Sequence, residues 1–216
     1  GARGVLREFQ VRAYYDPGQP SSNSTYAALL DSVRAEEVEG QQATMHLGRE
    51  QFGTLQWGGE LAAEVLYAWP RDATGLGPGG TRANNASIVL PLEYASHSFL
   101  FVGDLEGKAR DDDPGTARYG EARLLSDVPP ERLRATVLKL AHHGSETSST
   151  LPFLQAVSPT IVVVPSGRKS YSGTFLPDDS VLDRVCRLGD VTLVRTDQDD
   201  EEDGLAEGDD ADGDHI

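Results

Sequence analysis

The sequence predicts an α/β fold, in which a mixed sheet carries helices on its outer faces. In the first part of the chain two apolar runs, 87–94 and 98–103, are joined by a short polar turn, which is typical of a β-hairpin. In the last part, buried-type runs at 135–141, 160–164 and 191–195 alternate with helical patterns. Hairpins followed by strand–helix alternation predict a sheet with both antiparallel and parallel pairs.

The chain opens with a helix and a strand. Residues 1–10 place apolar side chains at helical spacing, and residues 11–15 alternate like a strand before an Asp-Pro-Gly turn. A second helix is expected to begin at a cap formed by Ser24 or Thr25 and to end near Gly40.

The next segment has two strands and a long loop. Residues 43–47 and 61–67 read as strands, and the Gly- and Pro-rich stretch 70–85 reads as loop. Pro91 interrupts the first hairpin strand, which predicts an edge position or a bulge there because proline cannot donate to the ladder.

Four helices are expected in the last hundred residues. Helical spacing of apolar side chains predicts them at 121–125, 130–133, 149–157 and 177–188. They lie between the late strands, so they would cover a face of the sheet.

The acidic charge is concentrated at one end of the chain. The 216 residues have a formal charge of −16, but residues 197–216 carry 11 of the 35 acidic residues and none of the 19 lysines and arginines. The 24 acidic and 19 basic residues of 1–196 leave a net charge of about −5, which excludes a broad basic nucleic-acid groove. We expect 1–196 to form one partial domain and 197–216 to be a disordered acidic tail or insertion, because it has hardly any apolar side chain to bury.

The chain has one cysteine, Cys186, and one methionine, Met45, and its first residue is Gly1. A single cysteine excludes an internal disulfide and a cysteine-based zinc cluster, and its apolar neighbours predict a buried thiol on a helix. The absence of a starting methionine predicts a fragment or a processed form. No run approaches the ~18 apolar residues of a membrane span, so we expect the polypeptide as given to be soluble, in the cytoplasm or in an extracytoplasmic compartment.

Two apolar runs end at residues that could bind a metal or transfer a proton. Run 98–102 stops at Asp104 after one glycine, and run 138–141 stops at His142 and His143. Carboxylate and imidazole groups at strand ends are the components of a metal site or an acid–base pair. Because side chains alternate along a strand, one histidine is expected to face the site and the other to pack or hold a hydrogen bond.

Structural explanations compete with these motifs. An Asp104 that only caps a turn would look the same in sequence, and a histidine pair can serve packing alone. The glycine that follows the histidines allows a tight turn, which would bring Ser145 near the same pocket. Arg168 and Lys169 are either a phosphate contact or a solvated basic turn.

Three segments, 84–90, 99–106 and 138–149, resemble a known family in their order and spacing. They are similar to the metallo-β-lactamase-like C-terminal domain of bacterial competence DNA-uptake channel proteins and their soluble relatives. The resemblance extends over about residues 1–197.

This resemblance implies an αβ/βα sandwich whose strand-end loops hold one or two metal ions, usually zinc. The implied metal and catalytic residues are Asp104, His142 and His143. Substrate or supporting contacts are implied for Asn84, Ser87 and Ser145. The implied activity is metal-dependent hydrolysis of a phosphodiester or related ester, with DNA among the candidate substrates, by attack of a metal-bound hydroxide.

Two motifs of that family are absent from this sequence. The first metal motif, His-x-His-x-Asp-His, is missing, since His46, His97 and His215 are scattered, and a later Gly-His-Pro segment is replaced by residues 171–177, which hold no histidine. We therefore expect a sandwich incomplete at its N-terminus, which begins just after the first motif and keeps at most half of a two-metal ligand set. Alone it would bind zinc weakly and be inactive.

Two functions are compatible with the sequence. The leading hypothesis is a fragment of a metal-dependent hydrolase, which in its full-length form would bind two zinc ions and could follow an upstream membrane domain. The alternative is a metal-free, catalytically inactive binding module of the same fold. The sequence leaves the oligomeric state open.

Overall fold

The computed structural model describes residues 2–198 except 53, 56, 71–73, 168, 169 and 172. The basic turn at Arg168 and Lys169 and the acidic segment from residue 199 onward lie outside the described residues. Seven α-helices fall within them: α1 (Ala2–Glu8), α2 (Ser24–Arg34), α3 (Gly79–Asn84), α4 (Tyr119–Asp127), α5 (Pro130–Leu133), α6 (Leu151–Val157) and α7 (Asp179–Cys186). In this described part of the chain, no helix combines the length and apolarity that crossing a bilayer requires.

Short strands make up the rest of the regular structure. In the described residues they are β1 (Ala13–Asp16), β2 (Glu37–Val38), β3 (Gln41–Gln42), β4 (Thr44–Leu47), β5 (Thr54–Leu55), β6 (Leu61–Glu64), β7 (Leu90–Tyr94), β8 (His97–Phe101), β9 (Val137–Lys139), β10 (Ile161–Val164), β11 (Ser170–Tyr171), β12 (Thr174–Phe175) and β13 (Thr192–Arg195).

The predicted mixed sheet is confirmed. Seven strands form it, in the order β13-β10-β9-β8-β7-β6-β5. Neighbouring strands from β8 to β13 run parallel, and those from β5 to β8 run antiparallel. Such a sheet with its helices is compatible with an α/β sandwich, and the parallel pairing of β8 with β9 brings their carboxyl ends to the same edge.

One face of this sheet is packed against helices α4 to α7. Leu100, Leu138 and Val162 are cross-strand neighbours on this face and are fully buried. Their cluster includes Leu124 of α4 and Phe153 of α6. Burying a side chain of this size contributes about 1.5–3 kcal/mol, so this layer supplies most of the core that holds the strand ends in place.

The opposite face is covered at one end. Near β5 and β6, Leu55 and Ala63 are buried in a second cluster against which Tyr15 of β1 packs. Toward β13, apolar side chains are far more accessible, since Phe101 is 42% exposed and Val194 45% exposed. Lys139, the last residue of β9, lies on the same face as its neighbour Phe101.

The second helix is shorter than predicted and has a different cap. The side chain of Asn23 accepts hydrogen bonds from the backbone N–H groups of Thr25 and Tyr26, at 2.8 and 3.2 Å. The helix ends at Arg34 because residues 37–42 form the β2–β3 hairpin, whose turn places Glu39 in the left-handed region at φ 55°. The predicted end near Gly40 was wrong.

Two smaller predictions also fail, and a third holds in part. Stretch 70–85 is not loop throughout, since it contains α3. Pro91 is on an interior strand, so the edge alternative was wrong, whereas the bulge alternative is supported. Between the pairs Ala63–Leu92 and Tyr67–Val89, residues 64–66 face only residues 90 and 91. Cys186 is exposed, because it is the last residue of α7.

Candidate functional site

The structure brings the predicted strand-end residues together. Phe101 and Lys139 are paired neighbours at the ends of β8 and β9. Beyond these ends, the backbone N–H of His142 donates to the carbonyl of Gly103 over 3.1 Å. The two chain segments therefore leave the sheet side by side, which places Asp104 beside the histidine pair.

The histidines lie beyond the strand, in a turn of unusual backbone geometry. Strand β9 ends at Lys139, and His142, His143 and Gly144 have φ values of 48°, 54° and 79°. Left-handed backbone costs roughly 1–2 kcal/mol for a residue with a Cβ, so this turn is held by its surroundings. At Gly144, an added Cβ would lie 2.5 Å from Pro177, which leaves room for glycine alone.

The prediction that one histidine faces the site while the other packs or holds a hydrogen bond was based on strand alternation, which does not apply to this turn, although His143 does hold a hydrogen bond with Pro165. Alternation applies only within a strand, and the chain leaves β9 before the histidines. Both imidazole rings approach a carboxylate instead: His143 approaches Asp104, and His142 approaches Glu106.

In the contact between His143 and Asp104, a lone pair on nitrogen faces a lone pair on oxygen. His143 Nδ1 lies 2.5 Å from the carbonyl oxygen of Pro165, which can only accept, so Nδ1 carries the proton. In a neutral ring Nε2 then bears a lone pair, and it lies 3.7 Å from Asp104 Oδ1. A cation or a proton between these atoms would satisfy both.

The contact between His142 and Glu106 is more deeply buried. His142 Nδ1 lies 3.5 Å from Glu106 Oε1 and 3.4 Å from the hydroxyl of Thr147. Burial lowers the pKa of His142, and the negative charges of Asp104 and Glu106 offset part of that effect. A lowered pKa favours the neutral ring at pH 7, the form that can ligate a metal or accept a proton.

Asn84 and Ser87 hold these carboxylate-bearing segments in place. The amide of Asn84 donates to Glu106 Oε1 over 2.7 Å. The hydroxyl of Ser87 accepts from the backbone N–H of Asp104 over 2.8 Å and donates to the carbonyl of Asn84 over 2.8 Å. Both residues thus form hydrogen bonds to the segments that carry Asp104 and Glu106.

Ser145 is one contact further away. Its hydroxyl is buried and lies 3.1 Å from the hydroxyl of Thr147, which in turn approaches His142. Its backbone N–H closes the turn by donating to the carbonyl of His142 over 2.9 Å. Among the described contacts, its role is to shape the turn.

Three residues at the site had no role in the sequence interpretation: Glu106, Lys139 and Thr147. Lys139 Nζ donates to the carbonyl of Gly103 over 3.1 Å, and burial lowers the pKa of Lys139 while Asp104 partly offsets this. A sequence signal existed for Glu106, since it follows Asp104 at a spacing of two in a segment that leaves a buried strand.

A buried charged cluster supports the segment that follows the histidines. Fully buried Lys108 donates to Glu146 Oε1 over 2.6 Å, and Arg184 donates to the same oxygen over 3.1 Å. Arg184 also donates to the carbonyls of Ser148 and Ser149, at 2.7 and 2.9 Å. These contacts fix the backbone of residues 146–149 against α7.

A further buried carboxylate, Glu121, closes this cluster. One of its oxygens accepts from the backbone N–H of Ser149 over 2.5 Å. The other accepts from the backbone N–H and the hydroxyl of Thr150, at 3.0 and 2.6 Å. Thr150 precedes α6, so Glu121 satisfies N–H groups at the start of that helix.

The donor chemistry suits zinc, whereas the number of gathered donors is small. Imidazole nitrogen and carboxylate oxygen are zinc ligands, and the facing lone pairs of His143 and Asp104 are the arrangement a shared cation would satisfy. Across residues 2–198, apart from the undescribed positions, no group of three or more His, Cys, Asp or Glu side chains is gathered to hold a metal ion. The described residues therefore supply two imidazole–carboxylate pairs.

Comparison with known proteins places this sequence near competence proteins. No protein-family model matches it. It is 30% identical over 121 residues to ComE operon protein 3 of Bacillus subtilis and 36% identical over 115 residues to competence protein ComA of Neisseria gonorrhoeae. It is 32% identical over 108 residues to recombination protein 2 of Haemophilus influenzae.

These similarities cover part of each protein. The matched segments are 56%, 53% and 50% of this chain, but only 14%, 14% and 12% of the three relatives. The similarity agrees with the resemblance to competence proteins drawn from the motifs. The chain is thus related, over about half of its length, to a small part of much longer proteins.

Proposed function

We propose that this chain is a portion of a competence-type DNA-uptake protein, and that its strand-end site belongs to a metal-dependent hydrolase of the metallo-β-lactamase type. The relatives that are named for competence support the first part. The second part rests on one observation, the two imidazole–carboxylate pairs at the ends of the parallel strands β8 and β9. The proposed substrate is a phosphodiester, with DNA as the leading candidate.

Asp104 and His143 would hold the ion in this proposal. Their facing atoms lie 3.7 Å apart, and the bond from His143 Nδ1 to the carbonyl of Pro165 keeps Nε2 available. The chemistry that zinc supplies when bound is Lewis acidity toward a phosphoryl oxygen and a lowered pKa for water.

The remaining residues would position ligands and substrate. Ser87 fixes the backbone at Asp104, and Asn84 fixes the carboxylate that faces His142. Lys139 brings a cationic side chain to the same strand ends, where a phosphate oxygen could accept from it. Its present acceptor is a carbonyl, so a stronger, anionic acceptor could replace that bond.

The hydrolase proposal is tested by Asp104→Ala in the full-length protein. Removing a metal ligand should lower phosphodiester hydrolysis by more than about 100-fold, since even supporting residues of metal sites are worth 10–100-fold. Glu93→Ala, an exposed carboxylate on β7, is the matched control and should keep the normal rate. Normal hydrolysis by Asp104→Ala would contradict the proposed site, whereas no hydrolysis by the full-length wild type would leave the metal-free binding module.

The chain 1–216 by itself should bind zinc weakly, because its described residues gather two donor pairs instead of a complete set. Elemental analysis after gel filtration should find well under one zinc ion per chain, with no phosphodiester hydrolysis. Stoichiometric zinc that survives filtration would show that this chain carries a complete site and overturn the expectation.

A further inference from the structure

Glu106 is a buried glutamate at the candidate site that had no role in the sequence interpretation. The residue is 3% exposed. Its backbone N–H donates to the side chain of fully buried Asn85 over 2.9 Å, and its Oε1 accepts from Asn84 over 2.7 Å. Two neighbouring asparagines thus hold this carboxylate in a fixed position beneath the histidines.

The hydrogen bonding of Glu106 differs from that of a structural carboxylate. Its Oε2 is buried and has no hydrogen-bond partner among the described residues. A buried acceptor without a donor costs about 1–3 kcal/mol, so a glutamate kept only for the fold should have both oxygens satisfied, as Glu121 does. The cost at Glu106 indicates a role in the site.

The atom that Glu106 faces is His142 Nδ1, at 3.5 Å from Oε1. A carboxylate can only accept, so this approach favours a proton on Nδ1. In the neutral ring the lone pair then lies on Nε2, the nitrogen that does not face Glu106. Carboxylates fix metal-binding and catalytic histidines in this way, by setting both ring orientation and tautomer.

We propose that Glu106 is a positioning residue, which holds His142 in the tautomer with Nδ1 protonated and Nε2 available to the site. The purpose of this arrangement rests on the proposed hydrolase function, but the arrangement itself is a property of this chain without metal. The hydroxyl of Thr147 lies 3.4 Å from the same nitrogen and can either donate to it or accept from it, so Thr147 is compatible with both tautomers and the carboxylate favours one of them.

The tautomer is measured by ¹⁵N NMR of the imidazole nitrogens in metal-free chain 1–216, in alkaline buffer in which the NMR spectra show neutral imidazoles. His142 should show protonated Nδ1 in the wild type. Glu106→Leu removes the acceptor and should shift the majority of His142 to protonated Nε2. Glu106→Gln is the conservative variant: Asn84 keeps the amide oxygen in the place of Oε1, so protonated Nδ1 should persist.

His143 is the internal reference in each sample, because Pro165 holds its Nδ1 proton independently of Glu106. Protonated Nε2 on His142 in the wild type would overturn the proposal without any variant. An unchanged tautomer in folded Glu106→Leu would overturn it as well. A full-length protein without hydrolysis, but with the expected tautomers, would contradict the proposed function and leave the role of Glu106 standing.

Discussion

Two buried glutamates lie next to each other in this fold and differ in how completely their carboxylates are hydrogen-bonded. Glu106 is 3% exposed and Glu121 is fully buried, and the backbone N–H of Glu121 donates to the carbonyl of Glu106 over 3.2 Å. Three donors from Ser149 and Thr150 satisfy both oxygens of Glu121. Glu106 has one donor, from Asn84, and one oxygen without a partner among the described residues.

This difference indicates that the Glu121 carboxylate stabilises the fold, whereas the Glu106 carboxylate is held in place by it. Glu121 supplies acceptors to the start of α6, where N–H groups have no partner within the helix. The guanidinium of Arg184 donates to the Ser148 and Ser149 carbonyls of the same segment. Glu106 instead receives its position from asparagines and directs an oxygen toward His142.

The largest expected effect that tests this comparison is on stability. At pH 8, above the pKa of Glu121, Glu121→Leu should lower the free energy of unfolding by about 3–5 kcal/mol, because it leaves buried donors on Ser149 and Thr150 without acceptors. Glu106→Leu should cost about 1 kcal/mol, since it removes one hydrogen bond together with an acceptor that had no donor. Urea unfolding of both variants measures the difference.

Glu93→Leu serves as the exposed control and should stay within about 0.5 kcal/mol of the wild type. Equal losses for the two buried glutamates would contradict the comparison, because Glu106 would then be as structural as Glu121.

The fold was predictable from the sequence in the segments whose apolar pattern is clear over a few neighbouring residues. The β7–β8 hairpin and the late strands have continuous apolar runs, and the structure places them in one mixed sheet. Boundaries were less predictable, because they depend on single side chains such as that of Asn23, whose amide oxygen Oδ1 accepts from two N–H groups at the start of α2. At Pro91 the sequence left an edge and a bulge open, because the choice depends on the register of the neighbouring segment, which contains the bulge.

The site was predictable in its residues but not in its geometry. Asp104 and the histidine pair stand out because charged groups follow apolar runs. The left-handed turn at His142 and His143 could not be foreseen from strand alternation, which ends with Lys139. Glu106 was missed although it follows Asp104 at a spacing of two, because its burial depends on asparagines about twenty residues earlier.

A smaller effect tests the same comparison: the free energy of unfolding should depend on pH because of Glu121. Burial raises the pKa of Glu121 from 4.5 to about 7, although its hydrogen bonds and Arg184 act in the opposite direction. Between these values the folded state holds more protons than the unfolded state, so stability falls as pH rises from about 4.5 to about 7 and is level above that.

The full shift corresponds to about 3 kcal/mol. Glu121→Gln has no proton to release at this position. Subtracting its unfolding free energy from that of the wild type cancels the titration of every other group. This difference should decrease as pH rises from about 4.5 to about 7. Urea unfolding at half-unit pH steps measures this difference. A difference that is flat or increases with pH would mean that the folded chain holds Glu121 ionised throughout, and that its three hydrogen bonds outweigh its burial.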